Sequence, residues 1–386
     1  MSVDRVIHSA RLVDGGQAVD DAWVAFRDGV VAGRGTGDVW RDLAPGRADD
    51  AGGAWLTPGF VDLHGHGGGG VSFDDGPEAI ATGRAVHRAH GTTRAVVSLV
   101  TASIDDLAAR AAMVAEVAAS DPTILGSHLE GPFLDVGHKG AHTASLLRAP
   151  DEAAVDRLLQ AGAGTIRQIT IAPELDGGLR AVRRFAGAGV AVAVGHTDAD
   201  EQTARAAFDA GATILTHAFN AMNGIHHRAP GPVVAALGDK RVTLEVVADG
   251  THVHPDVIRL LVQGAPGRVA VITDAMAATG SDDGDYVLGG LAVRVVGGVA
   301  RLVDGGAIAG STLTQDAAIR LMVQRVGMPL PDAVAAATVV PARAVGVADR
   351  FGALEPGLAA DAVLLDDELT VRRVWVDGEP VPIGGR

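Results

Sequence analysis

The chain contains no cysteine. Disulfides, thiolate zinc sites and a cysteine nucleophile are therefore excluded, and the redox compartment is left open with the cytoplasm as the default. Aromatic residues are scarce, at 3% against 47% hydrophobic residues overall. The core must then be built from Val, Leu, Ile and Ala, as buried parallel strands are. Basic residues are also short: 32 Lys and Arg face 47 Asp and Glu, for a net charge of −15. That balance argues against a nucleic-acid or anionic-membrane partner, either of which needs a basic face. An anionic substrate would require a local basic pocket working against the overall field. Long apolar runs are missing too. No window approaches the ~18 uncharged apolar residues of a membrane span, and Met1-Ser2-Val3-Asp4-Arg5 leads into alternating residues instead of an apolar signal segment. A cytoplasmic location is expected, with no membrane and no nucleic-acid partner.

At 386 residues the chain fits one large domain plus a smaller one. Residues 1–55 alternate as short strands with tight turns, among them Arg27-Asp28-Gly29-Val30. From about Phe351 the same pattern returns, with Ala362–Leu365 and Val371–Val376 strand-like. A small β-sandwich built from both termini is expected, with parts at 1–55 and 349–386.

Between them, residues 56–348 alternate apolar strands with Ala-rich helices, the signal of βα units around a parallel sheet. The strand candidates are Leu56–Leu63, Thr92–Val100, Thr123–Glu130, Ile166–Glu174, Val190–Thr197, Thr213–Asn220, Val242–Gly250 and Val269–Met276. Helical patterns at Pro77–His90, Ile104–Ala119 and Asp198–Ala210 lie between them. The class is α/β, and the count fits a (β/α)8 TIM-like barrel, with a doubly wound sheet as the alternative. Gly67–Gly70 is a loop without the context of a nucleotide-binding fingerprint.

The 14 histidines are informative through their positions. At or just beyond the C-terminal ends of the strands stand His64, His66, Glu130, His196, His217, His252 and Asp274. In a parallel barrel those ends converge on the catalytic face. His64 and His66, two apart, point to the same side of a strand and can share a metal. Imidazole with carboxylate suits Zn²⁺ or another first-row divalent ion. A single strand-end histidine is more often a hydrogen-bonded structural residue, but packing does not account for this whole set. His8, His87 and His90 read as structural. His128 is open between facing the mouth and supporting it, while Asp135, Asp198, Glu245 and Asp249 read as capping, turn or supporting groups.

The segments Pro58-Gly59-Phe60-Val61-Asp62-Leu63-His64-Gly65-His66, His128-Leu129-Glu130-Gly131-Pro132-Phe133, Gly195-His196-Thr197, Thr216-His217-Ala218-Phe219-Asn220-Ala221-Met222, Ala248-Asp249-Gly250-Thr251-His252-Val253 and Thr273-Asp274-Ala275 resemble those of the amidohydrolase superfamily. Within it they resemble the N-acetylglucosamine-6-phosphate deacetylases. Gly352-Ala353-Leu354-Glu355-Pro356-Gly357, with Ala360-Asp361, resembles the superfamily's return to its small β domain. The first and last motifs are shared across the superfamily; the Leu-Glu-Gly-Pro-Phe and His-Ala-Phe-Asn-Ala-Met segments are more specific. Many relatives bridge two metals with a carboxylated lysine, but the only lysines, Lys139 and Lys240, are not at strand ends, and Glu130 is the natural substitute.

The resemblance implies that Glu130, His196 and His217 hold the principal metal, with Zn²⁺ foremost and Fe²⁺, Mn²⁺ or Co²⁺ as alternatives. A second ion at His64 and His66 would make two per subunit. It implies Asp274 as catalytic acid and base, and His252 on the substrate carbonyl. Substrate contacts fall on Ala141, His142, Asn220, Ala221, Arg228, Ile308, Ala309 and Gly310. A homodimer is implied, with Arg228 reaching the phosphate in the neighbouring active site. The expected reaction is removal of acetate from N-acetylglucosamine 6-phosphate. The alternatives are the galactosamine epimer, another amidohydrolase reaction such as base deamination, and a scaffold that has lost its metals.

Overall fold

The structure, a computed structural model, describes residues 3–383. Its central feature is an eight-stranded parallel sheet whose strands follow chain order. They are β1 (Phe60–Asp62), β2 (Thr92–Val100), β3 (Ile124–Glu130), β4 (Ile166–Ile171), β5 (Ala191–Val194), β6 (Ala212–Leu215), β7 (Thr243–Val247) and β8 (Val269–Ile272). A parallel bridge between Gly65 and Ala275 joins the extensions of the first and last strands and closes the barrel. Most strand residues are buried, and β2 is buried along its whole length. That burial is why these strands read as continuous apolar runs instead of alternating ones.

The expected strand at Leu56–Leu63 is two strands. Trp55–Pro58 pairs antiparallel with Ala362–Leu365 in a different sheet, and only Phe60–Asp62 enters the barrel. The break falls at Pro58-Gly59. A Cβ on Gly59 would sit 2.2 Å from Thr93 Oγ1, so glycine alone fits this crossing. Most other barrel strands stop several residues before their expected C-terminal ends. β4 ends at Ile171, β6 at Leu215 and β8 at Ile272, and the residues beyond them form the site.

By contacts the chain divides into two compact units: Met1–Asp62, His87–Arg94 and Thr314–Arg386 form one, and Leu63–Val86 with Ala95–Leu313 form the other. The first holds an eight-stranded sheet assembled from both ends of the chain. Ile7, Leu12, Val24, Phe26, Leu56, Leu364 and Trp375 form its core. The buried Arg94 guanidinium donates to Asp361 at 2.6 and 2.8 Å. The second unit adds an antiparallel three-stranded sheet, Gly284–Leu288, Leu291–Val296 and Val299–Leu302, which the sequence reading left unassigned. Among the described residues no helix is long and apolar enough to cross a membrane.

Candidate metal centre

The reactive side chains arrive by one device used repeatedly. His196, His217 and Asp274 each lie two residues beyond the last residue of their strands, β5, β6 and β8. Each has positive φ, at 49°, 24° and 49°. Non-glycine residues seldom adopt that conformation, and it persists only where the surroundings enforce it. Here it ends the strand while the side chain stays at the mouth. Glu130 is the last residue of β3. His64 and His66 follow β1 and are fixed by the barrel closure: Asp274 N–H donates to the His64 carbonyl at 2.8 Å, and His66 N–H donates to the Ala275 carbonyl at 2.6 Å.

The side chains converge closely. His64 Nε2 lies 3.1 Å from His66 Nε2, and His196 Nε2 lies 3.0 Å from His217 Nε2. Glu130 stands between the pairs. Its Oε1 is 3.2 Å from His64, 3.1 Å from His196 and 3.3 Å from His217, and its Oε2 is 3.1 Å from His66 and 3.4 Å from His142. Asp274 Oδ1 is 3.4 Å from His66 Nε2. Two groups could each hold an ion: His64, His66 and Asp274, and Glu130, His142 and His196. Neutral imidazoles facing one another through Nε2 direct lone pairs at one point, an arrangement that calls for a cation. With metal–nitrogen bonds of about 2.0–2.1 Å, tetrahedral ligand atoms lie about 3.3 Å apart, which is the spacing found here. The residues present therefore fit a divalent ion.

The electrostatics agree. Burial alone would neutralise the Glu130 carboxyl, yet His64 and the other imidazoles hold it well below the usual carboxylate range. Burial also disfavours charge on His66, but Asp274 and Glu130 push it up to about 9. His64 is raised for the same reason by Glu130 and Asp274. Against its own burial, Asp274 is lowered by His64 and His66, so it is ionised. Protons thus take the positions of positive charge that an ion would fill, and loading an ion must release them.

These groups open into a cavity of about 390 Å³. Asp274, Glu130, His66, His196 and His217 line its floor, and Ala141, His142, Asn220, Ala221, His252, Ile308 and Gly310 line its walls. His64 is fully buried beneath them. His142, expected as a substrate contact, stands among the potential ligands. Ala309, expected beside the substrate, is fully buried in the core of the three-stranded sheet, between two neighbours that do face the cavity. Arg228 is exposed and does not line the cavity. Its backbone N–H donates to His226 Nδ1 at 3.3 Å.

Supporting contacts fix this geometry. His196 Nδ1 donates to the His138 carbonyl at 2.9 Å, setting the tautomer that leaves Nε2 toward Glu130. The loop lies so close that a Cβ on Gly140, at φ +53°, would meet His196 Cε1 at 3.2 Å. Asp249 Oδ2 accepts from His252 Nδ1 at 2.7 Å. Burial opposes charge on His252, but Asp249 raises its pKa above the ordinary value. His128 is held between Ser98 Oγ and Thr170 Oγ1 at 2.9 Å each, and burial keeps it neutral, so it supports the site from below. Glu245, also fully buried, accepts from Gln168 Nε2 at 2.8 Å and from His217 N–H at 3.4 Å. Of the capping, turn or supporting roles that the sequence allows Asp135 and Asp249, both take a supporting contact to a histidine, and His138 is an addition to the residues it singles out. A repeated Asp-x-x-His spacing, at 135–138 and 249–252, was the signal available.

Comparison with known proteins agrees with this arrangement. The amidohydrolase family matches residues 55–381. An N-acetylgalactosamine-6-phosphate deacetylase of Escherichia coli O157:H7 is 39% identical, covering 97% of this chain and 98% of its own. The human N-acetylglucosamine-6-phosphate deacetylase is 34% identical over 86% of this chain and 84% of its own. A Mycobacterium smegmatis N-acetyl-D-glucosamine-6-phosphate deacetylase variant, solved in complex with N-acetyl-D-glucosamine-6-phosphate, superposes with a TM-score of 0.93. It is 43% identical over 98% of this chain and 99% of that one. With a family match across most of its length and its ligand-type residues gathered at the barrel mouth, the chain belongs to the amidohydrolase family, on the branch that holds these deacetylases.

Proposed function

We propose that the protein hydrolyses the acetamido group of N-acetylglucosamine 6-phosphate to glucosamine 6-phosphate and acetate, a step of amino-sugar catabolism. The observation that carries the reading is the meeting of Glu130, the paired imidazoles, Asp274 and His252 in one cavity of about 390 Å³, a size suited to a small-molecule substrate. Glu130, His196, His217 and His142 would hold one ion, and His64, His66 and Asp274 a second. Zn²⁺ suits the donor set best, with Fe²⁺, Mn²⁺ or Co²⁺ as alternatives. When bound, a divalent ion lowers the pKa of water toward about 7 and polarises a carbonyl.

The chain's own groups do the rest. Ionised Asp274 takes the proton of the attacking water on its carboxylate and later delivers it to the departing amine nitrogen, acting as base and then acid. His252 is clamped by Asp249 and, in its charged form, donates from Nε2 to the oxygen that gains charge as water adds. A donor so placed contributes about 3–4 kcal/mol. Asn220 secures the loop beside His217, its amide donating to the His217 carbonyl at 3.2 Å. Arg228 would serve the phosphate of a neighbouring subunit in a homodimer, which accords with its exposure outside this subunit's cavity.

The galactosamine epimer is the second reading, favoured by the 39% identical bacterial relative. Measuring kcat/KM on the 6-phosphates of N-acetylglucosamine and N-acetylgalactosamine, with and without phosphate, separates the readings. No acetate release from either phosphate by metal-loaded protein would overturn both.

A further inference from the structure

The cavity carries two copies of one local device. In Asp249-Gly250-Thr251-His252, the carboxylate accepts the His252 backbone N–H at 2.8 Å and its Nδ1–H at 2.7 Å. In Asp135-Val136-Gly137-His138, the carboxylate accepts the His138 backbone N–H at 3.0 Å and its Nδ1 lies 2.9 Å away. In both cases the ring is locked through backbone and Nδ1 together, so Nε2 is the free edge. Both histidines line the same cavity. Only one of them has a role in the chemistry above.

Position gives the role of the other. The imidazoles of the metal groups are between 0% and 6% exposed, and the His252 side chain is 8% exposed. The His138 side chain is 23% exposed. It is therefore the outermost imidazole of the cavity and stands at the mouth. In a hexosamine 6-phosphate, the acetamido group on C2 and the phosphate on C6 lie at opposite ends of the ring. With the acetamido group at the buried floor, the phosphate points outward. Among the described residues no Arg or Lys lines this cavity, and the chain's net charge of −15 repels an anion. With Arg228 reaching the phosphate only from a neighbouring subunit, the imidazole at the mouth is the group of this subunit placed to join it.

We infer that His138, oriented by Asp135, is a specificity residue that, in its doubly protonated form, donates from Nε2 to the substrate's phosphate. The inference rests on the function proposed above, and the experiment separates the two. In an Asp274→Asn background, which suppresses turnover, dissociation constants for N-acetylglucosamine 6-phosphate and for N-acetylglucosamine are measured by calorimetry. Adding His138→Ala should lower the preference for the phosphorylated sugar about tenfold, the scale of a hydrogen bond to a charged group. His138→Gln, which keeps a donor at similar reach, should recover part of it, and Asp135→Ala should lose part. Metal content should stay unchanged, because the tie to His196 is made by the His138 carbonyl and not by its ring. An unchanged preference in His138→Ala overturns the inference, as does a parent that does not prefer the phosphorylated sugar. Loss of metal in both His138 variants would make the residue structural and overturn it as well. Failure of the wild-type protein to release acetate, with the preference still dependent on His138, would sink the proposed reaction and leave the phosphate contact standing.

Discussion

Replacing Asp249 tests how the walls of the cavity work. Its carboxylate accepts three hydrogen bonds, from Thr251 N–H at 2.8 Å, His252 N–H at 2.8 Å and His252 Nδ1 at 2.7 Å. Asp249→Ala frees the ring, and the oxyanion donor loses its aim. The loss should approach that for deleting such a donor, about 2.7–4 kcal/mol or 10²–10³ in kcat. Asp249→Asn is milder. The amide oxygen can still accept the backbone N–H groups, but its NH₂ faces Nδ1, so Nδ1 must accept and Nε2 carries the proton of a neutral ring. Hydrogen bonds from charged donors contribute about 1.5–3 kcal/mol against about 0.5–1.5 kcal/mol for neutral ones. The Asn variant should therefore lose roughly tenfold.

The pH profile supplies an independent readout. Burial lowers the His252 pKa, and Asp249 more than reverses this, so the folded value is raised. Activity that needs the imidazolium is present below that raised value and is lost as pH rises through it. Without the carboxylate the basic limb must move to lower pH. Rates of acetate release across pH, on protein of verified metal content, give both quantities. Near-parental kcat in Asp249→Ala with an unshifted basic limb would refute the assignment of His252 and its clamp.

Asp274→Asn should retain both the fold and an ion at Glu130, His142, His196 and His217 while kcat falls by about 10²–10⁴; elemental analysis beside steady-state kinetics checks this. Glu130→Ala removes a carboxylate that touches histidines on both sides of the site, and the purified protein should contain little metal and show almost no turnover. Arg228→Ala should lower kcat/KM for the phosphorylated sugar by about 1.5–3 kcal/mol far more than for the unphosphorylated one. Mixing it with Asp274→Asn protein should restore some activity if the arginine crosses to a neighbouring subunit, and equal losses on both sugars would make it a loop residue.

The barrel was legible because its strands are buried on both faces and therefore uninterrupted in sequence, as Thr92–Val100 is from end to end. Strand ends were not. Apolar residues resume at Ala218-Phe219 and Ala275-Met276, and what stops the strands at Leu215 and Ile272 is positive φ at His217 and Asp274, a conformation that tertiary contacts impose and no propensity announces. The split at Pro58-Gly59 was hidden for a related reason. Both halves are apolar, and only the contact of Gly59 with Thr93, distant in sequence, shows that the chain changes sheets there. The three-stranded sheet over 284–302 went unassigned, although its Leu291–Val296 strand alternates buried and exposed residues for most of its length.

At the site, the strand-end rule and the family likeness named residues that gather at the barrel mouth, but not how closely each approaches the others. His142 shows why. It lies in a loop with no strand to place it, and only the 3.4 Å approach of its Nε2 to Glu130 brings it among the groups that could hold an ion. The Asp-x-x-His clamps show the converse: a supporting role was open for each aspartate, but not which ring it would hold. An aspartate three residues before a histidine is ordinarily a turn or cap. It becomes part of a binding wall only when the histidine's free edge meets a cavity, a condition that sequence cannot express. Where Asp249 and Asp135 both meet it, a local backbone motif fixes the orientation of a cavity-lining ring, and part of the chain's acidic surplus serves to orient its own donors. That arrangement reconciles a net charge of −15 with an anionic substrate. The Asp135 carboxylate, part of the surplus that repels phosphate at long range, orients at the mouth the imidazole proposed to hold it.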